Sequence, residues 1–176
     1  MAAPVKPALS RSFARDSWAW VPAIADPTAP TVAELEATAA FNLSCSIFGD
    51  QEAVTATTEK VTLPRRNCEE ETFEVNGPTS YSMADLMVSF SPQAAEGSDG
   101  KKAWEAMDDY ATGFLVRRQG KQATEVFEAD DFVDVIPAQL AVKVPSKTGT
   151  GADGVYAFTV AASIINTPSW NQAVAA

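Results

Sequence analysis

The sequence predicts a mainly β protein: an antiparallel β-sandwich or partly closed barrel, with one flanking α-helix and an extended N-terminal arm. Short stretches in which apolar and polar residues alternate recur from residue 43 to residue 164. Gly, Asn, Asp and Pro clusters punctuate them, and only one mid-chain segment has strong helical spacing. About seven strands and one helix of this kind suit two packed antiparallel layers with the helix on a flank. The organisation expected is an arm with a short helix over 1–42, a β domain over 43–168 with its helix at about 101–112, and a C-terminal tail over 169–176.

Residues 1–17 are polar, rich in Ala, Pro and Ser, and aperiodic, so they are expected to be mobile until something binds them. Residues 18–35 read WAWVPAIADPTAPTVAEL. Pro22, Pro27 and Pro30 bias Val21, Asp26 and Ala29 toward extended or turn conformations, which predicts a stiff arm. Thr31 and Glu34 then have capping-box spacing at the head of a short helix over 31–40. A monomer gains little from two tryptophans on such an arm, whereas a neighbouring subunit with a groove for them gains much. Trp18, Trp20, Val21, Pro22 and Ile24 are therefore the expected inter-subunit contacts.

The period then falls to two. Leu43, Cys45 and Ile47 alternate with serines, and residues 60–63 and 72–75 are further candidate strands. Asn76-Gly77-Pro78 reads as a turn. A longer strand is expected over 80–90, with Ala84, Leu86, Val88 and Phe90 on one face. Ser98 or Asp99 would cap the helix and Gly113 would stop it, with Ala103, Trp104, Met107, Tyr110 and Ala111 inward. Strands follow at 114–118 and 132–144, the second interrupted by a bulge or kink at Pro137 where side-chain parity changes. The cleanest alternation is Tyr156, Phe158, Val160, Ala162 and Ile164 against small residues.

At 176 residues the chain fits one domain with a sizeable core, and no apolar run approaches a membrane span. No apolar stretch follows the basic residues near the N-terminus, so a secretory signal is not expected; a trimmed secreted domain is the alternative. There is no histidine, which removes the commonest general base and metal ligand and weighs heavily against an enzyme. No catalytic residue, metal site or cofactor is assigned. Asp108/Asp109 read as a solvated helix face, and Asp130, Asp131 and Asp134 with Glu125 and Glu128 lack EF-hand spacing. Gly149, Gly151 and Gly154 form G-x-G-x-x-G but precede a strand, so they mark a hairpin tip rather than a dinucleotide site. Cys45 is expected buried and Cys68 exposed, with a bridge between them left open.

Net charge is −10, with +3 on residues 1–15 and −13 on the rest. An acidic body disfavours tight nucleic-acid or anionic-membrane binding. It permits DNA as something to be repelled or passed along; acidity serving solubility alone is the rival.

The motif W-x-W-V-P-x-I-A-D-P-x-A-P-T-V-A-E-L over 18–35, followed by Leu43-Ser44-Cys45, resembles the N-terminal region of major tail tube proteins of long, non-contractile-tailed bacteriophages. The actinobacteriophage type is the most similar. The resemblance covers about residues 18–48, with a likeness of pattern and length beyond. It implies a structural virion protein, made in the host cytoplasm, whose six-membered rings stack into a tube for DNA ejection. Given such a tube, the acidic balance makes Glu74, Asp85 and Asp134 the lumen candidates, on a wall of like charge. It further implies that the partners are other copies of the chain, a tape measure protein and a tail terminator, and that a long inter-strand loop, here within 49–72, orders on gripping the next ring. The alternatives are another β-sandwich virion protein, such as a tail terminator or head–tail connector, and a monomeric binding or adhesion module.

Overall fold

The structure is a computed structural model, and it describes residues 12–48, 54–149 and 151–176. In chain order it contains β1 (Asp16–Val21), α1 (Val32–Leu35), β2 (Phe41–Asn42), β3 (Thr55–Thr62), β4 (Glu74–Ser82), β5 (Leu86–Ser89) and α2 (Lys102–Ala106). β6 (Thr112–Gln119), β7 (Phe132–Leu140), β8 (Val144–Thr148), β9 (Val155–Val160), β10 (Ala162–Ile164) and β11 (Ser169–Ala173) complete it. The architecture is mainly β and antiparallel, a sandwich without a closed barrel among the described residues, as the alternation predicts.

The main sheet has the order β10-β7-β6-β1-β2, with β11 pairing the first half of β7 while β10 pairs the second. Both its faces are buried. Trp18 and Trp20 of β1, Leu115 of β6, and Ile136, Ala138 and Leu140 of β7 point to one side. There they meet Leu86, Val88, Phe158 and Val160 from the second sheet, β5-β9-β8, and Ala103 and Met107 from α2 and its end. The alternate residues Ala19, Val21, Val116, Val133 and Val135 point the other way, against Ile24, Leu35, Phe127 and Val174. A strand buried on both faces reads as a continuous apolar run, not as an alternation.

This corrects three expectations. Residues 18–21 are not an arm: they lie in a central strand hydrogen-bonded along β6, and Trp18 and Trp20 are only 4% and 1% exposed, inside the protomer's own core. Residues 169–173 are not a free tail but a strand on β7. Nor does Pro137 interrupt β7, which pairs regularly with β6 through Phe114↔Pro137. The parity shift comes from the two buried faces. The Pro137 carbonyl accepts the Ile165 amide (3.1 Å), so its ring nitrogen turns to the same edge, where β10 gives way to β11 and the ladder demands no donor.

One long hairpin joins the two sheets. β7 continues through 141–143 into β8, and β9 continues through Ala161 into β10. The Ala141 amide donates to the Ala161 carbonyl (2.8 Å), so pairing persists through the bend that makes the corner of the sandwich.

Other local readings change for stated reasons. The 80–90 strand breaks at 83–85, leaving Ala84 exposed, while Leu86 and Val88 enter the core as expected. Leu43-Ser44-Cys45 is a turn with only Leu43 buried, and Cys45 is exposed like Cys68. Both helices are short. In α1 the Thr31 hydroxyl accepts the Glu34 amide (3.3 Å), and Glu34 accepts the amides of Thr31 (2.9 Å) and Ala25 (2.8 Å). α2 has no side-chain cap, and Tyr110, expected inward, is exposed at a positive φ of 61°. Gly113 is no helix stop. It lies in β6, where an added Cβ would stand 2.8 Å from Trp20 Cζ2 and from the Val21 carbonyl oxygen.

A buried ion pair secures the segment that covers the second face. Arg118 donates through Nη1 to Asp131 (2.8 Å) and the Val126 carbonyl (2.6 Å). Through Nη2 it donates to the carbonyls of Gln122 (3.1 Å) and Glu125 (2.8 Å) and to the Ser17 hydroxyl (3.2 Å). Its guanidinium lies over the Phe127 ring at 5.0 Å. Burial pushes the Asp131 carboxyl up, but hydrogen bonds from Lys121, Arg118 and the Glu128 amide outweigh that and hold it below its ordinary value of 3.8.

Candidate assembly surface

Among the described residues β3 and β4 form a two-stranded sheet that pairs with neither larger sheet, and β3 is exposed along its whole length. Thr-rich β3 suits an extended ribbon. Asn76-Gly77-Pro78, expected as a turn, instead lies within β4. The register steps from Thr58↔Thr79 to Lys60↔Asn76, so Gly77 and Pro78 oppose Glu59 alone in a β-bulge. A Cβ on Gly77 would come 2.9 Å from Val61 Cγ2, so glycine lets the bulge pack closely on β3.

Beyond the bulge the ribbon is amphipathic. Val61 opposes Val75, and the Leu63 amide donates to the Phe73 carbonyl (2.8 Å), which places Val61, Leu63, Phe73 and Val75 on one face. All four are exposed, Phe73 at 55%. The reverse face carries Thr62 and the Lys60–Glu74 ion pair (3.8 Å). At the tip, Arg66 and Glu69 close a turn, with the Arg66 amide donating to the Glu69 carboxylate (3.0 Å). Leu63 and Phe73 with Pro64, Arg65, Arg66 and Glu69 shape a cup of about 450 Å³. A two-stranded ribbon with a naked apolar face is marginal in water and gains from being covered.

A second concave surface lies at the outer edge of β8. The Phe90 amide donates to the Tyr156 carbonyl (3.2 Å), so Tyr156 turns its polar backbone groups toward β5 and its neighbours in β9 turn theirs toward β8. The alternation leaves Pro145 and Lys147 facing outward from β8. A proline and a lysine on an open edge are devices that discourage strand addition. Beside that edge, Phe90, Pro92, Pro145, Lys147, Tyr156 and Ala157 line a groove of about 340 Å³. Phe90 is stacked on Trp104 with centroids 4.7 Å apart, which fixes one wall.

The residues singled out in the sequence fall on separate elements. Of the expected arm contacts, Trp18, Trp20, Val21 and Ile24 are buried in the protomer and only Pro22 is exposed. Glu74 lies on the ribbon, Asp85 is exposed just before β5, and Asp134 on β7 accepts the Asn171 amide (2.9 Å). The segment expected over 49–72 includes β3 and the tip; its residues 49–53, like residues 1–11, lie outside those described. Gly149 and Gly154 flank the turn between β8 and β9. Asp131 is committed to Arg118, and Asp109 accepts the Lys143 amide (2.9 Å). The apolar ribbon face was missed, although its signal is present as two short alternations, 61/63 and 73/75, on either side of a charged loop. Among the described residues no helix is long and apolar enough to cross a membrane.

The whole architecture has a counterpart among solved structures. A chain in the cryo-EM structure of the anti-feeding prophage baseplate, 6-fold symmetrised, is similar in fold, with a TM-score of 0.53 at 10% identity. The match covers 96% of this chain and 98% of that one. Comparison with curated proteins returns no match. The model of the phage tail tube protein family matches residues 7–176. That span takes in both sheets, the ribbon and the C-terminal strand, and the chain belongs to the phage tail tube protein family.

Proposed function

We propose that this protein is the major tail tube subunit of a long, non-contractile phage tail, polymerising into stacked six-membered rings that form the conduit for DNA ejection. Family membership supports a structural tail protein. The observation that carries the finer reading is the β3–β4 ribbon, whose apolar face is left exposed by the described residues of the protomer. Burial of four such side chains against a second copy would supply a large favourable term, since each contributes about 1.5–3 kcal/mol when fully buried. The ribbon is thus the grip between subunits of successive rings. That a protein of the same fold belongs to a sixfold-symmetrised assembly agrees with the ring size.

Glu74, Asp85 and Asp134 are the proposed wall acids of the conduit. Glu74 lies on the polar face of the ribbon, opposite the gripping strip. The tape measure protein and tail terminator are the proposed further partners, in a virion assembled in the host cytoplasm. Phe73→Ser tests the grip: concentrated wild-type protein should form tubes by negative-stain microscopy, and the variant should remain monomeric with an unchanged circular dichroism spectrum. Tubes formed as readily by the variant would refute the ribbon's role.

A further inference from the structure

We infer that the groove lined by Phe90, Pro92, Pro145, Lys147 and Tyr156 is the receptor for the ribbon tip of a second copy of this chain. The inference rests on the ribbon being the grip proposed above, and it names where that grip lands.

Shape and apolarity match. The ribbon presents Phe73 as its largest exposed apolar side chain, and the groove offers aromatic and proline walls around about 340 Å³. Rings pack well against aromatic and proline surfaces, and groove-filling aromatic anchors dominate interface energies. The wall is preorganised, because Phe90 is held between Trp104 (4.7 Å) and Phe158 (6.0 Å).

Charge matches as well. At the tip, Glu69 is paired with Arg66 (3.9 Å) and Glu74 with Lys60 (3.8 Å), whereas Glu70 and Glu71 have no ion pair among the described residues. In the groove, Lys147 has none either, while its neighbour in the fold, Lys143, is engaged with the Trp104 carbonyl (2.7 Å) and ring (4.7 Å). Two unpaired acids just ahead of the exposed Phe73 in the chain would thus meet, in a second copy, an unpaired lysine beside an aromatic groove. The blocked edge of β8 fits the same role, since Pro145 and Lys147 disfavour a paired strand there and leave the groove to take side chains.

Charge reversal followed by its compensation is the test. Lys147→Glu should cut the fraction of assembled protein on the order of tenfold, through repulsion of Glu70 and Glu71 at the interface. Adding Glu70→Lys and Glu71→Lys to that variant should restore most of it. Independently, Glu71→Cys with Lys147→Cys, in a Cys45→Ser, Cys68→Ser background, should give a ladder of disulfide-linked subunits on mild oxidation of tubes. Neither single-thiol variant should do so. Tubes that form normally yet yield no ladder, with Lys147→Glu assembling like wild type, would overturn the groove assignment and leave the groove to another segment of a neighbouring copy. If Phe73→Ser itself assembles, the ribbon reading fails and this inference falls with it. If Phe73→Ser blocks assembly while position 147 is indifferent, only the landing site is wrong.

Discussion

β1 and β3 are both antiparallel strands, six and eight residues long, and they are opposites in use. β1, reading DSWAWV, is buried on both faces, and its aromatic and aliphatic side chains serve two cores at once. β3, reading TATTEKVT, is exposed throughout and pairs only with β4. The first strand holds the protomer together and has nothing left for a neighbour. The second contributes little to the protomer, and everything it offers is directed outward. Sequence conspicuousness misleads here: the tryptophans belong to the fold, and the inconspicuous threonine-rich ribbon is the element proposed for assembly.

The comparison breaks if mutations in β1 prove mild. Trp20→Ala should cost about 3–5 kcal/mol by emptying a fully buried site, read as a large fall in the denaturant midpoint. Removing residues 1–21 should then leave no cooperatively folded domain, because β6 would lose its partner. Asp131→Asn comes next, costing about 3 kcal/mol by leaving Arg118 buried without its counter-charge. Its sign with pH is definite. The folded carboxyl titrates below its ordinary 3.8, so its stabilisation is complete above about that pH and is lost as pH falls through the lower folded value. Acid titration of stability should therefore be shallower in Asp131→Asn than in wild type over that interval.

Two glycines sharpen the contrast further. Gly113→Ala should cost about 1–3 kcal/mol, since the new methyl meets Trp20 and a backbone carbonyl in a filled core. Gly77→Ala meets mainly Val61 Cγ2, the end of an exposed side chain that can turn aside, so thermal unfolding should shift less. Smallest of all is Phe73→Ser, expected within about 0.5 kcal/mol of wild type in monomer stability despite abolishing tubes. A thermal shift comparable to that of Gly113→Ala would place Phe73 in the protomer's own structure.

Tyr110 and Tyr156, expected inward, are exposed, and Ala157 on the opposite face of β9 is buried. The fold class and the core positions Leu86, Val88, Ala103, Met107, Phe158 and Val160 were legible because their spacing writes a period into the sequence. β1 was not, because burial on both faces erases the alternation, and Pro22, Pro27 and Pro30 immediately after it suggested an arm. Gly113 resembled a helix stop, whereas its cause is an indole from residue 20, ninety-three positions away in the chain. Asn76-Gly77-Pro78 resembled a turn because the same residues serve turns and bulges, and only the partner strand distinguishes them. For the candidate site, residues 60–63 were legible as a strand, but the beginning of β3 at Thr55 was not, because Thr55–Glu59 carry no apolar alternation. The proposed landing groove was not legible either, since residues 90, 92, 145, 147 and 156 come together only through sheet pairing.

Arg118 anchors the segment that follows it by gripping main-chain carbonyls of Gln122, Glu125 and Val126. Because every residue type presents the same carbonyl, this attachment is indifferent to which side chains occupy those positions and sensitive only to how many there are. The segment is therefore free to diversify its outward chemistry at constant length, whereas a single inserted residue would pull the carbonyls out of step with the guanidinium's fixed fork. Sequence drift and length drift are thereby separated: the first is tolerated on this surface of the tail protein, and the second reaches the buried core.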